Sequence, residues 1–96
     1  MTQIAGADDE LAVRRRKLQF RSWHRGMREM DLIMGRFADA FVDALGPAEL
    51  DEYERLMEMP DPELFGLVLA DAPPPADLDS ALLRRLRAFH RAPRGS

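Results

Sequence analysis

The run Arg25-Gly26-Met27-Arg28-Glu29 sets two guanidinium forks and a carboxylate around a residue with no side chain. These types suit recognition rather than bond making. Arginine forks and a carboxylate can engage polar groups on a partner, and bare backbone at Gly26 lets another protein's main chain approach closely. The same five residues also read as a plain helix boundary. Glycine supplies a left-handed turn, and Glu29 then falls in the first turn of the next helix, where an acid suits the positive end of the dipole. Were the helix unbroken through Gly26, Arg25 and Glu29 would simply pair at i, i+4, in the weaker orientation.

Other reactive groups are few. The two histidines, His24 and His90, are far apart, and no Ser, Asp or Glu is spaced to make a triad with either. Cysteine is absent, which excludes a disulfide scaffold, a zinc finger, an iron–sulfur site and a thiol nucleophile together. No Gly-rich phosphate cradle occurs, so a nucleotide or flavin site of the chain's own is not expected. Neither catalytic nor metal-binding residues are assigned. Arg14-Arg15-Arg16-Lys17 has the charge to meet phosphates, but without interleaved aromatics it reads better as a solvated or protein-facing stripe. The six methionines fall at helical spacing and read as core filler.

The 96 residues suffice for one domain. Val and Ile total five, none in an alternating run, while 13 glycines and prolines divide the chain into segments of helical period. The expected fold is all-α, a compact five-helix bundle over residues 8–92, with disordered ends at 1–7 and 93–96. The first helix starts near Asp8 or Asp9 and runs to Trp23, its apolar face poor. The second carries Met27, Met30, Met34, Phe37, Phe41 and Leu45 in one stripe and ends at Gly46. Pro47 opens a third with Leu50, Tyr53, Leu56 and Met57 inside. Asp61-Pro62 opens a fourth with Leu64, Phe65, Val68 and Leu69 inside. Asp77 opens a fifth through Leu78, Leu82, Leu86 and Phe89. Charge is blocked along the chain: net −3 over 1–12, +6 over 13–38, −11 over 39–79 and +5 over 80–96. The basic ends can pack beside the acidic middle. No apolar run reaches the roughly 18 residues of a membrane span, and the start has no signal- or transit-peptide character, so a cytoplasmic protein is expected.

Arg21-Ser22-Trp23-His24-Arg25-Gly26-Met27-Arg28-Glu29-Met30-Asp31, then Phe37, then Leu50, Tyr53, Leu56 and Met57, then Asp61-Pro62-Glu63-Leu64-Phe65, together resemble the small flavin-assembly factors of succinate dehydrogenase. The likeness covers about residues 17–91, and that family's five-helix fold agrees with the segments above. It departs at Gly66-Leu67, where the family usually carries a tryptophan. The resemblance implies a non-catalytic assembly factor whose partner is the flavoprotein subunit of succinate dehydrogenase and, in bacteria, also of fumarate reductase. It implies that FAD becomes covalently attached to that partner, at a partner histidine, and that this chain holds no cofactor of its own. Arg25, Gly26 and Glu29 become the contact centre, with Arg28 and Asp31 flanking. Arg25 and Glu29 are then expected at the surface, each replaceable by alanine within about 0.5 kcal/mol of stability. A monomer without nucleic-acid partner or membrane insertion is expected. The alternative is a nucleic-acid-associated regulator using Arg14 to Lys17 and the arginines of the last helix.

Overall fold

The computed structural model describes residues 6–92; of the ends expected to be disordered, 1–7 and 93–96, residues 1–5 and 93–96 lie outside the described residues, while Gly6 and Ala7 are helical. Five α-helices follow in order: α1 Gly6–Trp23, α2 Arg28–Phe41, α3 Pro47–Met57, α4 Asp61–Leu69 and α5 Ala81–Arg91. Among the described residues there is no strand. None of these helices is long and apolar enough to cross a membrane.

Helix α2 is the axis of the core because its apolar residues recur every three or four positions. Met30, Met34, Phe37 and Ala38 are wholly buried on it and Ile33 nearly so. Against this stripe pack Leu18 of α1, Leu50, Tyr53, Leu56 and Met57 of α3, Leu64 and Val68 of α4, and Leu82 and Leu86 of α5. Phe37 sits at the centre of an aromatic group, its ring 5.0 Å from Phe41, 5.8 Å from Tyr53 and 5.8 Å from Phe89. Met30, Met34 and Met57 are buried, so half of the methionines fill the core itself.

Helix α1 has little apolar surface to bury, and polar contacts hold it in place. Arg14 meets Asp51 at 2.6 Å and Glu54 at 2.9 Å on α3, Arg21 meets Glu58 at 3.2 Å, and Arg15 donates to the Leu45 carbonyl at 2.8 Å. Ser22, fully buried, shares a 2.6 Å hydrogen bond with the Tyr53 hydroxyl. At its C-terminal end Trp23 lies across α2 over Gly35, so near that a Cβ there would stand 2.2 Å from the indole. Asp39 accepts from the Trp23 Nε1–H at 3.1 Å and from Gln19 at 2.6 Å, fixing the ring over that notch.

The basic C-terminal block likewise meets the acidic middle. Arg85 reaches Glu49 at 3.2 Å and Arg91 reaches Asp71 at 2.9 Å. Arg87, buried, donates to the carbonyls of Leu67 and Ala72, and Arg91 to that of Ala70. The arginines of α5 therefore close the C-terminal end of α4, where orphan carbonyls and the negative dipole end favour cations.

The observed segments differ from the sequence-based expectation at four places. Helix α1 takes in Gly6 and Ala7, ahead of the acids expected to start it. Helix α2 stops at Phe41, and a 3₁₀ turn over Val42–Ala44 tightens the chain so that Leu45 still reaches the core. The fifth helix opens at Ala81, not Asp77: Ala76–Leu78 form a separate 3₁₀ turn, and the Ser80 hydroxyl caps α5 by accepting from the Leu83 N–H at 3.1 Å. Leu69 points outward, 45% exposed, and Phe41 and Phe65 are half-buried, because a helix lying on the core hides only one stripe.

Candidate partner-binding site

The motif residues lie where α1 ends and α2 begins, and the turn between them is tightly specified. Gly26 has φ of +100°, a conformation that strains residues with a Cβ. Asp31, one turn into α2, accepts from the backbone N–H groups of Arg25 at 2.7 Å and Gly26 at 3.2 Å. One carboxylate thus satisfies two donors of the turn and sits beside the positive end of α2. Asp31 acts on its own chain.

Arg25 also faces inward. Its side chain is only 9% exposed, its Nε 2.5 Å from Asp61 Oδ1 at the start of α4. Nη1 donates to the Met57 carbonyl at 3.0 Å and Nη2 to the Met59 carbonyl at 2.6 Å. One guanidinium therefore closes the end of α3 and ties the α1–α2 turn to the α3–α4 turn. The expectation of a solvent-facing Arg25, removable within about 0.5 kcal/mol, is corrected: planar donors in fork geometry are what two carbonyls and a carboxylate demand. The alternative pairing with Glu29 does not occur, since the helix is broken between them.

Gly26, Arg28 and Glu29 are exposed. A Cβ at Gly26 would meet no atom within 4 Å, so the space above that residue is open on this molecule. Among the described residues, Arg28 and Glu29 have no ion-pair partner within 4 Å, and Glu29 borders a shallow groove lined by Leu32, Ile33, Phe65 and Leu69 together with Arg36 and His90. The five candidate residues are thus brought together in two tiers. Arg25 and Asp31 build the turn, and Gly26, Arg28 and Glu29 present it.

Burial pushes the Tyr53 phenol up to about 12, opposed by its hydrogen bond with Ser22 and by the charge of Arg25. No group of three or more His, Asp and Glu side chains gathers among the described residues as a metal site requires. In the basic stripe, Arg14 and Arg15 are spent on α3 and Leu45, which leaves no continuous row of cations for phosphates.

Sequence reasoning missed Asp61 as the partner of Arg25 and Gly35 as the seat of Trp23. Gly35 had a signal, since a lone glycine inside a strong helical pattern costs about 1 kcal/mol and implies a packing reason. A pairing across 36 residues has none.

The chain is similar to known proteins. The family model described as "Flavinator of succinate dehydrogenase" matches residues 16–90. The chain is 42% identical to the FAD assembly factor SdhE of Acetobacter pasteurianus over 93% of its own length and 82% of that protein's. It is 38% identical to the FAD assembly factor SdhE of Haemophilus ducreyi over 67% of its length and 78% of the relative's. To the mitochondrial succinate dehydrogenase assembly factor 2 of Dictyostelium discoideum it is 35% identical over 78% of its length, spanning about half (53%) of that longer protein. No solved structure matches. A match that takes in the Gly26 turn, the Arg25–Asp61 tie and most of α1 to α5 places this chain in the family of succinate dehydrogenase flavinators.

Proposed function

We propose that this chain is a non-catalytic assembly factor that docks on the flavoprotein subunit of succinate dehydrogenase and promotes covalent attachment of FAD to it. The observation that carries this is the Gly26 turn. It is held from behind by Arg25 and Asp31, open in front, and flanked by two outward charges, Arg28 and Glu29. A rigid bare-backbone knob of this kind receives a partner's main chain at low ordering cost. In this reading the chemistry belongs to the partner and its flavin. The reading is of a monomer acting in the cytoplasm, holding no FAD when isolated, with the flavoprotein subunit of fumarate reductase as a second client.

Co-expression with each flavoprotein subunit, followed by in-gel flavin fluorescence, tests this. Covalent flavin is expected to rise with the wild-type chain, and to fall with Gly26→Arg or Glu29→Ala while melting curves show both variants folded. Equal flavin with and without the wild-type chain rejects the function. Full activity of the folded variants moves the site elsewhere on the surface.

A further inference from the structure

The outer face of α1 carries a strip that the Gly26 turn does not explain. Of the cations between Arg14 and Arg21, Arg14 is engaged by α3, Arg15 by the Leu45 carbonyl and Arg21 by Glu58 just past α3. Arg16 and Lys17 are exposed and, among the described residues, have no acidic partner. One turn further on Phe20 is 64% exposed, among cations where the sequence reading had placed no aromatic. Its ring is stacked on the His24 imidazole, centroids 4.1 Å apart and planes 16° from parallel. The His24 Nδ1 lies 2.7 Å from the Phe20 carbonyl, which holds the pair together. Val13, also exposed, Arg16, Lys17 and Phe20 follow at i, i+3, i+4 and i+7, one side of the helix, and His24, just past its end, extends the strip through its stack on Phe20.

His24 directly precedes Arg25, so the strip runs into the Gly26 turn without interruption. We infer that this strip is the second half of the docking surface and receives an acidic segment of the flavoprotein subunit, with carboxylates at Arg16 and Lys17 and an apolar side chain on the Phe20–His24 stack. The inference rests on the function proposed above. Charge complementarity selects the occupant: two unpaired cations beside a fixed aromatic face match an acidic peptide carrying an apolar anchor. A nucleic acid is disfavoured, because the chain is net −3 and its other α1 cations are already used.

Lys17 is the sole lysine of the chain, which gives a direct probe. Zero-length carbodiimide coupling of the full-length chain mixed with the purified apo-flavoprotein subunit should join the Lys17 amine to an Asp or Glu of that subunit, located by peptide mapping. Lys17→Arg should abolish this link, since a guanidinium forms no amide with an activated carboxylate under these conditions. Phe20→Ala should weaken the complex about tenfold. Arg16→Glu/Lys17→Glu should weaken it about tenfold at low salt, with the gap closing toward about 0.5 M salt, while circular dichroism stays unchanged. A complex that forms without a Lys17 link and is equally tight for the double variant overturns the strip alone. So does a double variant whose affinity falls for RNA or anionic vesicles and not for the subunit. A wild-type chain that forms no complex overturns the functional reading and the strip with it.

Discussion

Arg25 and Glu29 are four positions apart and opposite in role. Arg25→Ala strands Asp61, which is 19% exposed, and two carbonyls, so a loss of about 2–4 kcal/mol is expected, whereas Glu29→Ala should stay within about 0.5 kcal/mol. Urea unfolding of both variants checks the contrast. Arg25→Lys should recover only part of the loss, since an ammonium cannot reproduce the fork. That the motif mattered was legible in its residue types, but the inward turn of Arg25 was not, because Asp61 and the Met57 and Met59 carbonyls meet it only after α3 and α4 have formed. Tyr53 gives a second test. Its native phenol titrates near 12 and an unfolded one near 10, so between about pH 10 and 12 the native state holds a proton that the unfolded chain has lost. Stability should therefore be flat with respect to this group below pH 10 and fall as pH rises through that window. Tyr53 is the sole tyrosine, so tyrosinate absorbance reports it alone, and Tyr53→Phe should remove its share of the slope.

At the scale of elements, periodicity revealed the helices and their inward faces, and local chemistry decided their ends. Met30, Met34 and Phe37 lie inside as their spacing predicted, while α5 begins where Ser80 can cap it rather than at Asp77. The apolar stripe of α2 also runs past the end of its helix, because a 3₁₀ turn can carry Leu45 inward as well as an α-turn can. The crossing of α1 over α2 depends on Gly35. Gly35→Ala gains roughly 1 kcal/mol of helix propensity but drives a methyl into the Trp23 ring. Displacing that ring and its bond to Asp39 should cost about 1–3 kcal/mol, for a net loss. Trp23 is the sole tryptophan, so its emission should shift in the variant. An unchanged spectrum and an unchanged or raised stability would show that the indole does not set the crossing.

For the whole molecule, one contiguous core drawn from all five helices implies that they unfold together. Trp23 fluorescence and helical circular dichroism should give coincident urea transitions with a slope of about 1–2 kcal/mol per molar. Separated midpoints would mean that α1, held largely by polar contacts, detaches first. The alternation of charge along the chain was plain in the sequence and is realised as helix-to-helix pairing, with Arg14 on Asp51 and Glu54, and Arg85 on Glu49. Which cations would be left over was not legible, since Arg16 and Lys17 differ from Arg14 and Arg15 only by their angle around the helix. The latch made by Arg25 also has a consequence for genetics. A domain of this size has about 5–15 kcal/mol of stability, so losing 2–4 of it leaves a folded majority in the cool and a depleted one in the heat. Arg25 alleles should therefore be temperature-sensitive, partly rescued by second-site stabilising changes or raised dosage, whereas a Glu29→Ala allele should be equally defective at every growth temperature.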